Sequence, residues 1–307
     1  MFDKYLSAFR RLVPRYVSST APTEMRLHTM TVGNFEVDAN NNNPLFPSVE
    51  SVKKLNWRGK TKVCMLVVVD GLRKSDLDYN RMKFLKEIRD YRGVCCDNFR
   101  VSGRTLTIPG HIQLTSGNNP KNISNSEGEM MKYPGFYQHA INQIPGSEAY
   151  VICSKGKLCC LGDCRKNSFS NARVCNHTVE VNYKLKNKPI SYTGVENSCS
   201  GYREDKRTFA RTIEALHSSK ESTGPVFFVV NFREPDSSGH RRDWDEYIRQ
   251  QGVVDGYLRD LWREATSIHG ESSVSMFITN DHGRHTDNFV NHGCDCEGCR
   301  SITFYAI

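Results

Sequence analysis

Four short segments of this 307-residue chain carry side chains able to do chemistry together. Asp70 ends an apolar run in "VVVDGLR". Thr107 opens "TIPGH", just after Arg104 and Thr105. Asp236 and His240 stand four apart in "EPDSSGH". Asp281 and His282 are adjacent in "NDHGRHTDNFVNHG", which also holds His292. Carboxylates and imidazoles are ligands for a divalent cation, and Asp/His sets with open positions suit catalytic zinc. A threonine hydroxyl is a weak nucleophile near neutral pH, and coordination to a dication activates it. Taken singly, each segment has a plainer reading. Asp70 could cap the next helix, Asp236 and His240 could be a cap and a surface histidine, and Thr105 is an alternative hydroxyl. Cys294, Cys296 and Cys299 follow directly in "CDCEGC". A C-x-C-x-x-C run supplies three thiolates where a closed zinc site takes four ligands. These cysteines are therefore expected to form a structural turn or a redox-sensitive clasp, and His111 and His285 to have supporting roles.

The elements that must position these residues are legible in outline. Lys62–Asp70, Ala149–Cys153, Pro225–Phe232 and Ser273–Asp281 are short apolar runs of the kind that form strands buried on both faces. A final strand is expected over "SITFYAI". Helical spacing predicts an amphipathic helix over 74–91, with Leu77, Met82, Phe84, Leu85 and Ile88 inward. A second helix is expected around Phe209–Leu216. A long one over 243–265 has Tyr247, Val254, Leu258 and Leu261 on one stripe. Strands alternating with helices predict an α/β fold, a mostly parallel central sheet flanked by helices on both faces. Ligands in such sheets bind at the carboxyl ends of the strands, where Asp70, Asp236 and Asp281 fall. Residues 1–60 read as a short N-terminal helix (Phe2, Leu6, Phe9, Val13) and an irregular lead-in, and 61–307 as one catalytic domain. Within that domain 153–202, rich in Cys, Lys and Asn, reads as a small insertion or cap.

Composition narrows the partners. The chain is 38% hydrophobic and 25% charged, enough for a full core. A formal charge of +8 favours anionic small molecules. No dense Lys/Arg run is present, so no stable nucleic-acid complex is expected. The longest apolar run, Cys64–Val69, is too short to span a bilayer. Without an export signal, the twelve cysteines and two glycosylation sequons default to a reducing, cytoplasmic setting. The oligomeric state is not legible.

The four motifs in this order resemble the alkaline phosphatase superfamily, most closely its type I phosphodiesterase/nucleotide pyrophosphatase branch. They are Asp70-Gly71, Thr107-Ile-Pro-Gly-His111, Asp236-Ser-Ser-Gly-His240 and Asp281-His282-Gly283. The resemblance runs from about Lys62 onward. It implies two divalent ions, zinc in the first place with manganese as the other ion the ligand set accepts. One would be held by Asp236, His240 and His292, the other by Asp70, Asp281, His282 and the Thr107 oxygen. It also implies a phospho-threonine intermediate and a phosphorylated small-molecule or nucleotide substrate. Arg73, Arg104, Asn119, Asn125 and Arg284 are candidate substrate contacts. The chain departs from the branch in the short spacing from His282 to His292, which resembles phosphopentomutase-like members. A phosphomonoesterase, phosphonate hydrolase or phosphomutase of the same superfamily is thus the alternative. A non-catalytic zinc-stabilised module is the third reading. The Cys/Ser-x-Pro-x-Arg frame of sulfatases is absent near residue 107.

Overall fold

The computed structural model of the protein describes residues 61–117, 119, 122–127, 129, 131, 135–162, 178–180, 189–193 and 201–307. The expected N-terminal helix and lead-in, and much of 153–202, lie outside these residues. Among the described residues eight strands form one sheet: β1 (Val63–Val69), β2 (Val94–Arg100), β3 (Glu148–Cys153), β4 (Thr178–Glu180), β5 (Pro189–Thr193), β6 (Val226–Phe232), β7 (Val274–Thr279) and β8 (Ser301–Ala306). Their order is β2-β8-β7-β1-β6-β3-β5-β4. The five strands from β7 to β5 run parallel, and β8, β2 and β4 add antiparallel edges.

Among the described residues seven α-helices accompany the sheet: α1 (Lys83–Glu87), α2 (Thr107–Ser116), α3 (Phe136–Gln143), α4 (Asp205–Ser218), α5 (Asp236–His240), α6 (Trp244–His269) and α7 (Glu297–Arg300). Successive side chains of a strand point to opposite faces, and β1 shows why both faces need covering. Val63, Met65, Val67 and Val69 pack with Leu216 of α4 and with Val254, Leu258, Leu261 and Trp262 of α6. Cys64 faces the other way, in a core with Val151, Phe227 and Val229 that is closed by Ile108 and Ile112 of α2 and Ile141 of α3. An all-apolar strand is the sequence consequence of being sandwiched.

The helix expected over 74–91 is broken. A 3-10 turn spans Lys74–Asp76, α1 begins only at Lys83, and a π turn follows over Ile88–Arg92. Asp78 is the cause: its carboxylate accepts Asn80 N–H at 2.9 Å, an Asx turn that competes with the helix. The apolar spacing still holds, since Met82, Phe84, Leu85 and Ile88 are buried. The long helix α6 starts where Asp243 accepts Glu246 N–H at 3.0 Å, an N-cap. The strands β2, β4 and β5 and the helix α3 were not foreseen. Among the described residues no helix is long and apolar enough to cross a membrane.

Candidate metal centre

Because β6, β1 and β7 are parallel neighbours, Asp70, Asp236 and Asp281 emerge at one edge of the sheet. Asp70 N–H donates to Phe232 O at 3.0 Å, and Asp236 N–H to Asp70 O at 3.2 Å. Gly71 makes this approach feasible. Its φ is +63°, and a Cβ there would lie well inside contact with the Asp236 carboxylate. All three aspartates are buried.

One half of the centre is Asp236, His240 and His292. Asp236 and His240 are one helical turn apart on α5, so they share a face. Asp236 Oδ2 is 3.4 Å from His240 Nε2, and Asp236 Oδ1 is 3.7 Å from His292 Nε2. His292 Nδ1 lies 3.0 Å from Thr105 O. A carbonyl accepts only, so the ring proton sits on Nδ1 and the Nε2 lone pair faces His240 Nε2 at 3.1 Å. Burial pushes the His292 pKa down to about 4, which keeps this nitrogen free to ligate.

The other half is Asp70, Asp281, His282 and Thr107. His282 Nδ1 donates to Gly283 O at 2.9 Å. Its Nε2 then faces Asp281 Oδ2 at 3.4 Å, Thr107 Oγ1 at 3.5 Å and Asp70 Oδ1 at 3.6 Å. Burial lowers the His282 pKa to about 3, so this ring too is neutral. Asp281 Oδ1 accepts Gly71 N–H and His282 N–H, but Asp281 Oδ2 is buried with no hydrogen bond. An orphaned carboxylate oxygen beside bare imidazole lone pairs fits a cation. Donor atoms converge to within 4.8 Å in Asp236/His240/His292, in Asp70/Asp236/His282 and in Asp70/His111/Asp281. The stacked rings of His282 and His292, 3.8 Å between centroids, join the two halves. Thr107 is the first residue of α2, whose N-cap Leu106 offers no side-chain cap, and it is buried.

Two residues of the centre were missed or underrated by sequence reasoning. Lys155, two residues past β3, is buried with its Nζ 2.6 Å from Asp236 Oδ2, 2.8 Å from Asp70 Oδ1 and 3.4 Å from Thr107 Oγ1. Burial opposes its charge, but Asp236, Asp70 and Asp281 outweigh burial and hold the ammonium protonated. The signal was partial: Lys155 follows the end of an expected strand, but only the pairing of β3 with β6 places that end beside the carboxylates. His111, given a supporting role from sequence, has Nδ1 2.8 Å from Thr107 O and 3.3 Å from Asp281 Oδ2, and Nε2 3.1 Å from Asn231 Nδ2.

The candidate substrate contacts are distributed unevenly. Arg284 is fully buried and donates to Asp236 Oδ1 at 2.8 Å and Asp236 O at 2.5 Å, which fixes the carboxylate. Arg73 binds Asp76 and the carbonyls of His285 and Thr286. Arg104 donates to Ile123 O, and Asn119 to Ser102 O. Asn125 reaches the start of α2, next to Thr107: its Oδ1 accepts Ile108 N–H at 2.9 Å.

With the geometry in view, three comparisons bear on it. A sequence model of the Metalloenzyme superfamily matches residues 169–295, a span that holds Asp236, His240, Asp281, His282 and His292. That superfamily comprises metal-dependent hydrolases and transferases of phosphoryl and sulfuryl groups. No curated protein sequence matches the chain at a significant level. Among solved structures, the C-terminal periplasmic domain of phosphoethanolamine transferase EptC from Campylobacter jejuni is similar with a TM-score of 0.53. It is 14% identical, over 80% of this chain and 79% of that one. BT1596, a 2-O GAG sulfatase, gives 0.54 at 13% identity, over 80% and 64%. TAB5 alkaline phosphatase gives 0.50 at 11% identity, over 80% and 91%. The fold is alkaline-phosphatase-like.

Proposed function

We propose that the chain is a metal-dependent hydrolase of phosphoric esters, a phosphodiesterase or nucleotide pyrophosphatase, in which Thr107 is the covalent nucleophile. The observation that carries this reading is the place of Thr107 Oγ1. It is a buried hydroxyl at the start of a helix, 3.5 Å from His282 Nε2 and 3.4 Å from Lys155 Nζ. Asp236, His240 and His292 would hold one divalent ion, and Asp70, Asp281, His282 and Thr107 the second, with zinc the first choice and manganese the other. Such ions lower the pKa of the hydroxyl and neutralise phosphate oxygens when bound.

The chain's own residues contribute the rest. The N-terminal end of α2, where Asn125 already accepts Ile108 N–H, carries partial positive charge beside the place where an anionic ester would dock. Lys155 offers its ammonium to the charge that develops on the nucleophile and the phosphoryl oxygens. Arg284 keeps Asp236 oriented, and His111 braces the Thr107 carbonyl. Attack of the Thr107 oxygen on phosphorus would expel the leaving alcohol or phosphate, and water would then cleave the new P–O bond to Thr107, releasing a phosphate monoester from a diester or inorganic phosphate from a monoester and restoring the hydroxyl. The substrate would be a phosphorylated small molecule or nucleotide, which suits the +8 charge. A threonine at 107, with no Cys/Ser-x-Pro-x-Arg frame, weighs against sulfate esters.

Lys155 also favours a second reading, a phosphomonoesterase. A monoester presents one more charged oxygen than a diester, and a fixed ammonium beside the nucleophile is a fitting partner for it. Turnover of nitrophenyl phosphodiester and monoester, with and without chelator, tests both. Activity that survives chelation or Thr107→Ala overturns the mechanism, and the turnover ratio chooses between ester classes.

A further inference from the structure

Outside the centre just described, the structure gathers a second set of metal donors. His285, Cys294, Cys296 and Cys299 bring one ligand atom each to within 4.8 Å of one another. The sequence offers three thiolates in C-x-C-x-x-C, and the fourth ligand comes from a separate turn. Two backbone contacts fold that turn onto the cysteines. His285 N–H donates to Asn291 O at 2.9 Å, and Gly283 N–H to Cys299 O at 2.8 Å. Gly283 and Gly298 let the two strands of the loop meet backbone to backbone. A Cβ at Gly283 would strike Gly298 O, and one at Gly298 would strike Arg284 O.

We infer that His285 Nδ1 and the Sγ atoms of Cys294, Cys296 and Cys299 form a closed Cys3His zinc site, structural in role. Zinc–sulfur and zinc–nitrogen bonds of about 2.3 and 2.0–2.1 Å in a tetrahedron set ligand atoms roughly 3.5–3.8 Å apart. The Cys294–Cys299 sulfurs are 3.6 Å apart, and His285 Nδ1 lies 3.7 Å from Cys299 Sγ and 3.8 Å from Cys296 Sγ. His285 Nδ1 to Cys294 Sγ is 2.8 Å, so this one pair must part by somewhat under ~1 Å to reach the tetrahedral spacing. A Cys294–Cys299 disulfide would need the sulfurs at about 2.05 Å, and the cysteines are free thiols. Four ligands leave no open position, which separates this site from the Asp/His centre. The surrounding contacts orient the ligands. Cys296 N–H points at Cys294 Sγ at 3.3 Å, Thr105 Oγ1 donates to Cys294 O at 2.7 Å, and Arg73 Nη1 donates to His285 O at 2.6 Å. The ion would clip the turn after His282 and Arg284 to the segment that carries His292.

The inference stands independently of the phosphohydrolase reading, and its test uses a signal the Asp/His centre lacks. The full chain, purified under reducing conditions, is loaded with cobalt(II). A tetrahedral site with three thiolates gives an intense thiolate-to-cobalt charge-transfer band in the near ultraviolet; carboxylate and imidazole ligands give none. The band is expected in the wild type and in His292→Ala, is expected to be lost in Cys296→Ser, and is expected to be weakened or moved in His285→Ala, which keeps the three thiolates but opens the fourth position. Zinc analysis should show about one equivalent fewer in Cys296→Ser. Because a variant can misfold, a wild-type measurement accompanies these. Titration of the folded zinc-loaded protein with a mercurial should release one zinc per three thiols consumed. Wild-type protein without the band, a band that survives Cys296→Ser, or a Cys294–Cys299 disulfide in the reduced preparation overturns the inference.

Discussion

Lys155→Met is the perturbation that most directly probes the electrostatics of the centre. Methionine keeps the unbranched stem and its packing but removes the charge. The ammonium serves two carboxylates, at 2.6 Å from Asp236 and 2.8 Å from Asp70, with all three side chains buried. Breaking a buried ion pair from one side costs about 3–5 kcal/mol, because the remaining charge stays uncompensated. In a domain of this size each kcal/mol moves Tm by roughly 2–4 °C. In chelator, the variant should therefore melt roughly 6–20 °C below wild type. Saturating zinc or manganese brings positive charge back to the same carboxylates, so the gap should narrow as metal is added. Paired thermal melts, with and without chelator, read both effects. A variant within about 2 °C of wild type in chelator would refute the reasoning, and so would a gap that widens with metal.

Further outcomes follow from the same geometry. Alanine for a helical glycine normally stabilises by up to about 1 kcal/mol. Gly239→Ala should instead destabilise by roughly 1–2 kcal/mol, because the new Cβ lands on the Arg284 guanidinium and loosens its bonds to Asp236; a raised urea midpoint would contradict this. Asp205 is buried and its pKa is pushed up from 3.8 to about 6, chiefly by burial. Its folded pKa lies above the unfolded one, so the stability it lends is full below pH 3.8 and is lost as pH rises through 6. Wild type should lose about 2 kcal/mol relative to Asp205→Asn between pH 4 and 7, and parallel stability curves would exclude this. Thr107→Ser should keep measurable turnover in the nitrophenyl ester assay where Thr107→Ala has none, because serine retains the hydroxyl; equal loss in both would make the hydroxyl dispensable to the chemistry.

How far the sequence carried this picture depends on where each residue gets its partners. β1, β6 and β7 were legible because strands buried on both faces are apolar throughout, and a carboxylate straight after such a run stands out. Strand β2 was not legible. Among the described residues it pairs with β8 alone, it carries a register shift between Cys96 and Phe99, and it lacks both a clean alternation and an unbroken apolar run. Asp78 shows a local bond overriding a good helical pattern at 74–91. In the centre, the four motifs were visible because their residue types are unusual together. Lys155 was hidden, since a lysine in "SKGK" has the appearance of surface until β3 is known to lie beside β6. His285 was hidden for the opposite reason. Its partners are close in sequence, but the turns that join them have no periodicity, so counting thiolates gave three ligands and not four.

The central claim is a phosphoryl group carried on the hydroxyl of Thr107. The measurement that tests it is an acid quench of the metal-loaded protein during turnover of a phosphodiester or monoester, followed by peptide mass spectrometry. The expected result is an adduct on the peptide that contains Thr107, phosphate from a monoester or the retained phosphate monoester group from a diester, localised to that residue and absent from Thr107→Ala. Steady turnover with an unmodified Thr107 peptide, or the adduct on Thr105, would contradict it.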